Sequence, residues 1–121
     1  WDKKIIVNIT TLDELIKKFG NPKYIKIDVE GFEHEVILGL TKKSGIISFE
    51  FTSEFIEDAF KSVDYLISLG YSDFNYSLGE RRKFFTQWTT AISIKEDIKN
   101  NIKKDNLLWG DLYCKWLYYK T

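Results

Sequence analysis

The sequence predicts an α/β domain: parallel strands with crossover helices, closed at one sheet edge by an antiparallel hairpin. Two features predict it. Residues 3–69 read as strand and helix in alternation, the order from which parallel sheets are built. After Gly70 that order gives way to short aromatic segments, residues 71–76, 83–86 and 89–94, around the turn-like Ser77-Leu78-Gly79-Glu80.

Residues 3–9 are short and β-branched, as a strand requires. Thr11-Leu12-Asp13-Glu14 then offers a capping box, with Thr11 on the first amides and Glu14 reaching back. The helix it opens runs through Leu15, Ile16 and Phe19 and stops at Gly20, with Pro22 beyond. Tyr24-Ile25-Lys26-Ile27-Asp28-Val29 is the strongest strand, with Ile25, Ile27 and Val29 on one face and Tyr24, Lys26 and Asp28 on the other. Glu30-Gly31 turns the chain into a helix over residues 32–40 whose buried side is Phe32, Val36, Ile37 and Leu40. A strand over residues 46–51 follows Gly45. Next comes a longer helix with Ile56, Phe60, Val63 and Ile67 at helical spacing, ending at Gly70. Residues 95–104 predict a polar surface helix, and residues 107–119 an aromatic tail docked on the body.

Composition narrows the function. Lys+Arg and Asp+Glu both total 18. Without a net positive field the basic clusters Arg81-Arg82-Lys83 and Lys103-Lys104 read as solvated surface, and no nucleic-acid partner is expected. The single cysteine, Cys114, excludes an intrachain disulfide and fits a reducing compartment. No apolar run approaches the ~20 residues of a membrane span, so a cytoplasmic protein without a membrane partner is expected. The sequence lacks methionine and begins at Trp1, so the natural protein is expected to extend upstream.

Asp28, Glu30, Glu33, His34 and Glu35 fall within eight positions and, with Glu50, are the residues that could carry chemistry. Ligands of open parallel sheets bind beyond the carboxyl ends of the strands. Asp28 sits near such an end, Glu30 in the loop leaving it, and Glu50 at the comparable point of the next strand. Carboxylates gathered there suit a cationic ligand, a divalent ion or a base. Asp28 with Glu50 offers oxygen ligands alone, which would suit Mg²⁺ or Ca²⁺. Desolvating Asp28 at the end of an apolar strand is costly without a task. Glu33 and Glu35 read as solvated helix positions, and His34 as a surface histidine. No Cys-x-x-Cys, His-Glu-x-x-His, Gly-x-Ser-x-Gly or Gly-x-Gly-x-x-Gly occurs, so no phosphate cradle is visible.

Three stretches carry a family resemblance: Thr11-Leu12-Asp13-Glu14-Leu15, then Tyr24-Ile25-Lys26-Ile27-Asp28-Val29-Glu30-Gly31-Phe32-Glu33, then Val36-Ile37-Leu38-Gly39-Leu40. Together they resemble the C-terminal half of FkbM-type methyltransferases. Residues 46–51 look like the family's next strand, and Trp109-Gly110-Asp111-Leu112-Tyr113 is similar to a short motif near the family's end. Between residues 71 and 106 the likeness is architectural only.

The resemblance implies a partial Rossmann-like methyltransferase fold. It also implies transfer of a methyl group from S-adenosylmethionine to a hydroxyl of a sugar or natural product, a small-molecule or saccharide acceptor. Asp28 would face the reaction centre, orienting the cofactor's amine or taking the acceptor's proton, with Glu30 in support. The cofactor's glycine-rich loop belongs ahead of Trp1 on this reading, which leaves one domain over residues 1–121 with a bare sheet edge that favours self-association. A non-catalytic binding or assembly module of the same fold is the alternative.

Overall fold

The computed structural model describes residues 10–80 and 83–116. Among them the order is α1 (Leu12–Phe19), β1 (Tyr24–Ile27), α2 (Glu33–Leu38), β2 (Ile46–Thr52), α3 (Ile56–Leu69), β3 (Asp73–Leu78), α4 (Ala91–Lys104) and β4 (Trp109–Lys115). The strand predicted over residues 3–9 lies outside the described residues. No helix among those described is long and apolar enough to cross a membrane.

The sheet runs β1-β2-β4-β3, with β1 parallel to β2 and β4 antiparallel to both of its neighbours. The antiparallel closure is therefore present, but not as a hairpin. β3 and β4 are joined through α4, and the tail predicted to dock outside inserts as β4 between β2 and β3. Its alternation explains the insertion: Gly110, Leu112 and Cys114 are buried on one face, while Trp109, Asp111, Tyr113 and Lys115 alternate with them.

The core lies on that apolar face. Ile27, Ile47, Phe49, Phe51, Leu112, Cys114, Phe74 and Tyr76 from the strands meet Ile37, Phe60, Val63, Leu66, Ile94 and Ile98 from α2, α3 and α4. Burial pushes the Cys114 thiol up, leaving a protonated, inert packing residue. The opposite face carries Ser48, Asn75 and Ser77, all buried and all bonded. Tyr24 Oη lies 2.5 Å from Ser48 Oγ, Asn75 Nδ2 donates to the Thr86 carbonyl, and Ser77 Oγ meets Tyr113 Oη.

Helix ends follow the local chemistry. Thr11 Oγ1 accepts from Glu14 N–H at 3.2 Å, the Thr11 half of the predicted box. Asp13 does more than face the helix dipole: its carboxylate accepts from Thr41 N–H at 2.9 Å and Thr41 Oγ1 at 2.5 Å. Those bonds tie α1 to the loop before β2 and hold the Asp13 carboxyl below its usual range. α3 ends as predicted at Gly70, which adopts a left-handed φ of 110°.

Several predictions of detail fail for physical reasons. Phe32 is 65% exposed because α2 starts one residue later, at Glu33, leaving Phe32 as its N-cap. On α3 it is Leu66 that is buried, and Ile67 faces outward. Residues 83–86 form no strand; they follow the outer edge of β3 through Phe85 N–H to the Tyr76 carbonyl. Residues 89–94 hold one bridge, Phe74 to Thr89, before Thr90 caps α4 by accepting from Ser93 N–H. The cap and the Ile94, Ile98, Ile102 spacing signal a helix that begins at Ala91 and buries an apolar stripe, not a polar surface helix.

The contact between β3 and β4 depends on a missing side chain. A Cβ placed on Gly110 would stand 2.0 Å from the Ser77 carbonyl oxygen and 3.1 Å from Phe51 Cζ. Gly110→Ala is therefore expected to cost about 1–3 kcal/mol, as overpacked sites do. Denaturant unfolding checks it, and a midpoint equal to wild type would show that β4 can retreat from β3.

Candidate functional site

β1 ends at Ile27, two residues short of the predicted strand, so Asp28 is the first residue of the loop at the strand's carboxyl end and is exposed rather than desolvated. The parallel register pairs Ile27 with Phe49, and one further step sets Asp28 beside Glu50. Across the next ladder Glu50 pairs with Asp111 of β4. Three carboxylates thus stand in a row on the polar face of the sheet, an arrangement that opposes like charges.

The electrostatics show the strain of that row. Burial raises the Glu50 carboxyl above the ordinary value, and Asp111 and Asp28 raise it further, with Glu33 and Glu30 adding to them. Burial also raises Asp111; Lys26 opposes that shift and Asp28 adds to it. Among the described residues no group of three or more His, Cys, Asp or Glu side chains is arranged to hold a metal ion.

The turn after Asp28 is locked from within. Glu30 has φ 47° and Gly31 φ 99°, two successive left-handed residues. The Glu33 carboxylate receives Val29 N–H at 3.1 Å and Gly31 N–H at 2.9 Å. Glu33 is therefore a clamp on the turn, not the freely solvated position expected of it. Glu35 is exposed, as predicted. His34 is half-buried rather than on the surface, with Nδ1 2.8 Å from Ser62 Oγ of α3.

Two cavities open at this edge. One, of about 440 Å³, is enclosed by the turn, the start of α2, the end of β2 and the first turns of α3; Asp28, Glu30, His34, Glu50, Phe55 and Ser62 are in its wall. The other, of about 750 Å³, lies over the polar sheet face against Lys26, Asp28, Glu50, Trp109, Asp111 and Tyr113. Asp28 and Glu50 belong to both.

The structure thus brings Asp28, Glu30 and Glu50 to one place, and adds residues that sequence reasoning missed. Asp111 was hidden in a segment read as a tail, although its alternation with Leu112 and Cys114 marked a strand with a polar face. Ser62 and Phe55 had no signal in the sequence, since only the packing of α3 against α2 brings them to the cavity.

Residues 1–89 match the family model of the methyltransferase FkbM domain, and the chain belongs to that family. No curated protein matches the chain, and no solved structure does. Membership supports the methyltransferase reading made from the motif around Asp28.

The carboxylate row has a pH signature. A carboxyl whose folded pKa is raised destabilises the fold once ionised, so stability falls as pH rises from the ordinary carboxylate range through the raised value. Glu50→Gln removes that penalty. We expect a melting temperature about 1–3 °C above wild type at neutral pH, the gap closing as the pH falls into the carboxylate range. Calorimetry across pH checks it; a lower melting temperature for the variant would mean that the Glu50 charge is stabilised in place.

Proposed function

We propose, from its membership of the FkbM methyltransferase family, that the chain is the C-terminal, catalytic-face half of an S-adenosylmethionine-dependent O-methyltransferase domain. One observation carries the reading: Asp28, at the carboxyl end of β1, lies in the wall of both cavities, where two substrates would meet. The parallel β1–β2 pair and the antiparallel closure through β4 are compatible with a Rossmann-like sheet. On this reading the cofactor's main cradle is a glycine-rich loop outside these 121 residues, which contain no such loop. In the same reading the outer edge of β1 meets that upstream half, or a second copy when the half is missing.

The acid row suits the cofactor's charges. Its amine and sulfonium are cationic, and Asp28, Glu50 and Asp111 gather negative charge at that edge without a phosphate to repel. S-adenosylmethionine, when bound, supplies a sulfonium-activated methyl group. Asp28 either orients the amine or takes the proton of the acceptor hydroxyl. Glu30, in the left-handed turn, adds charge beside it. The acceptor is a small molecule or saccharide, and the cavity of about 440 Å³ is within the range of small-ligand sites. Phe55, exposed in its wall, offers an apolar surface to a sugar ring.

Two measurements test this. By calorimetry, S-adenosylmethionine should bind the full-length protein and not residues 1–121 alone; saturable micromolar binding to the shorter chain would place the cradle inside it. In the full-length enzyme, Asp28→Asn separates the two roles. A general base lost in this way lowers turnover by roughly 10²–10⁴-fold. Loss of an amine anchor instead weakens cofactor binding, with turnover recovering at saturation. Glu35→Gln, on the exposed side of α2, is the control and should leave both unchanged. Normal kinetics for Asp28→Asn would make that carboxylate structural.

A further inference from the structure

His34 is the chain's one histidine, and the reading above leaves it without a task. Its ring stands in the wall of the smaller cavity with Asp28 and Glu50. Nδ1 is 2.8 Å from Ser62 Oγ. Ser62 is fully buried, and its hydroxyl donates to the Asp58 carbonyl, one helical turn back, at 3.1 Å. A hydroxyl has a single proton. With that proton directed to Asp58, Ser62 Oγ meets the ring as an acceptor, and Nδ1 must carry the hydrogen. In a neutral imidazole the other nitrogen then holds a lone pair. No other hydrogen bond to His34 forms among the described residues, so Nε2 is left open.

We infer that Ser62 holds His34 in the Nδ1–H tautomer so that Nε2 accepts the proton of the hydroxyl being methylated. The inference rests on the methyltransferase reading and deepens it. The acceptor oxygen forms the new C–O bond, its proton passes to Nε2, and the electron pair of the broken C–S bond leaves with sulfur. The imidazolium afterwards returns its proton to water. Asp28, Glu30, Glu33, Glu50 and Asp58 share the cavity wall with His34. Asp28 is then left to the donor's positive charge, and Ser62 is a positioning residue.

Long-range ¹H–¹⁵N spectra of the full-length protein at mildly alkaline pH read the tautomer directly, with the His34 signals assigned by their loss in His34→Gln. The expected spectrum has a protonated Nδ1 and a bare Nε2, and Ser62→Ala should give mixed tautomers. Activity is read with methyl-labelled S-adenosylmethionine and a panel of methyl glycosides. His34→Ala should lower kcat by roughly 10²–10³-fold with KM little changed, and added imidazole should restore part of it. Ser62→Ala should lower kcat by about 10-fold with KM unchanged. A protonated Nε2 in the wild type, or a His34→Ala kcat within about threefold of wild type, would overturn the inference. Absence of methyl transfer by the wild type across the panel would overturn the functional reading, and the proton's route with it, even where the tautomer is as expected.

Discussion

The pairing of β2 with β4 is the constraint on which the rest of the structure depends. In one register it sets Phe49 opposite Leu112 and Ile47 opposite Cys114 on the core face. The same register sets Glu50 opposite Asp111 and Ser48 opposite Tyr113 on the polar face. A slip of one residue would exchange the two sets, driving carboxylates into the core and aromatic rings into water. The apolar face therefore enforces the acidic one: burial of Phe49 and Leu112 holds Glu50 and Asp111 together against their mutual repulsion. Burying either apolar side chain fully is worth about 1.5–3 kcal/mol, enough to outweigh a partly solvated repulsion between like charges.

The turn after β1 shows the same logic over a few residues. A left-handed Glu30 costs on the order of 1 kcal/mol, since its Cβ crowds the following carbonyl. Glycine at the next position adopts its own left-handed φ without that penalty. The Glu33 carboxylate then satisfies two amides that the turn leaves outside the helix, and charge-assisted bonds of this kind are stronger than neutral ones. With the turn fixed, the start of α2 is fixed, and so is the bond from His34 to Ser62. Asp28 and His34 are six residues apart in the chain and reach one cavity because Glu33 holds the path between them.

The sequence reading succeeded where a signal was local. Thr11 and Gly20 marked the ends of α1, Gly70 the end of α3, and the alternation of Ile25 with Ile27 the first described strand. Asp28 and Glu50 were identifiable because both follow apolar strand positions near carboxyl ends. Failures came where tertiary pairing decided. Aromatic content hid β4, whose strand period is plain once Gly110, Leu112 and Cys114 are seen to be one small-and-apolar face. Thr90 and the Ile94, Ile98, Ile102 spacing were legible helix signals obscured by the β-branched residues around them. The choice of Leu66 over Ile67 was not legible, because both fit an apolar stripe and only the packing of α3 separates them. Asp111 and Ser62 reach the cavities through neighbours far away in sequence.

The carboxylate row is held at an electrostatic cost. Glu50 stands near Asp28 and opposite Asp111, and burial and repulsion raise both Glu50 and Asp111. A nearby cation changes the balance, since the same three charges then become its ligand field. Lys26 lowers Asp111 but stands at one side of the row. A cationic donor at this edge would relieve the repulsion that the β2–β4 register imposes. Its binding would then stabilise the fold by favouring the native state, coupling cofactor affinity to the pairing that forms the core.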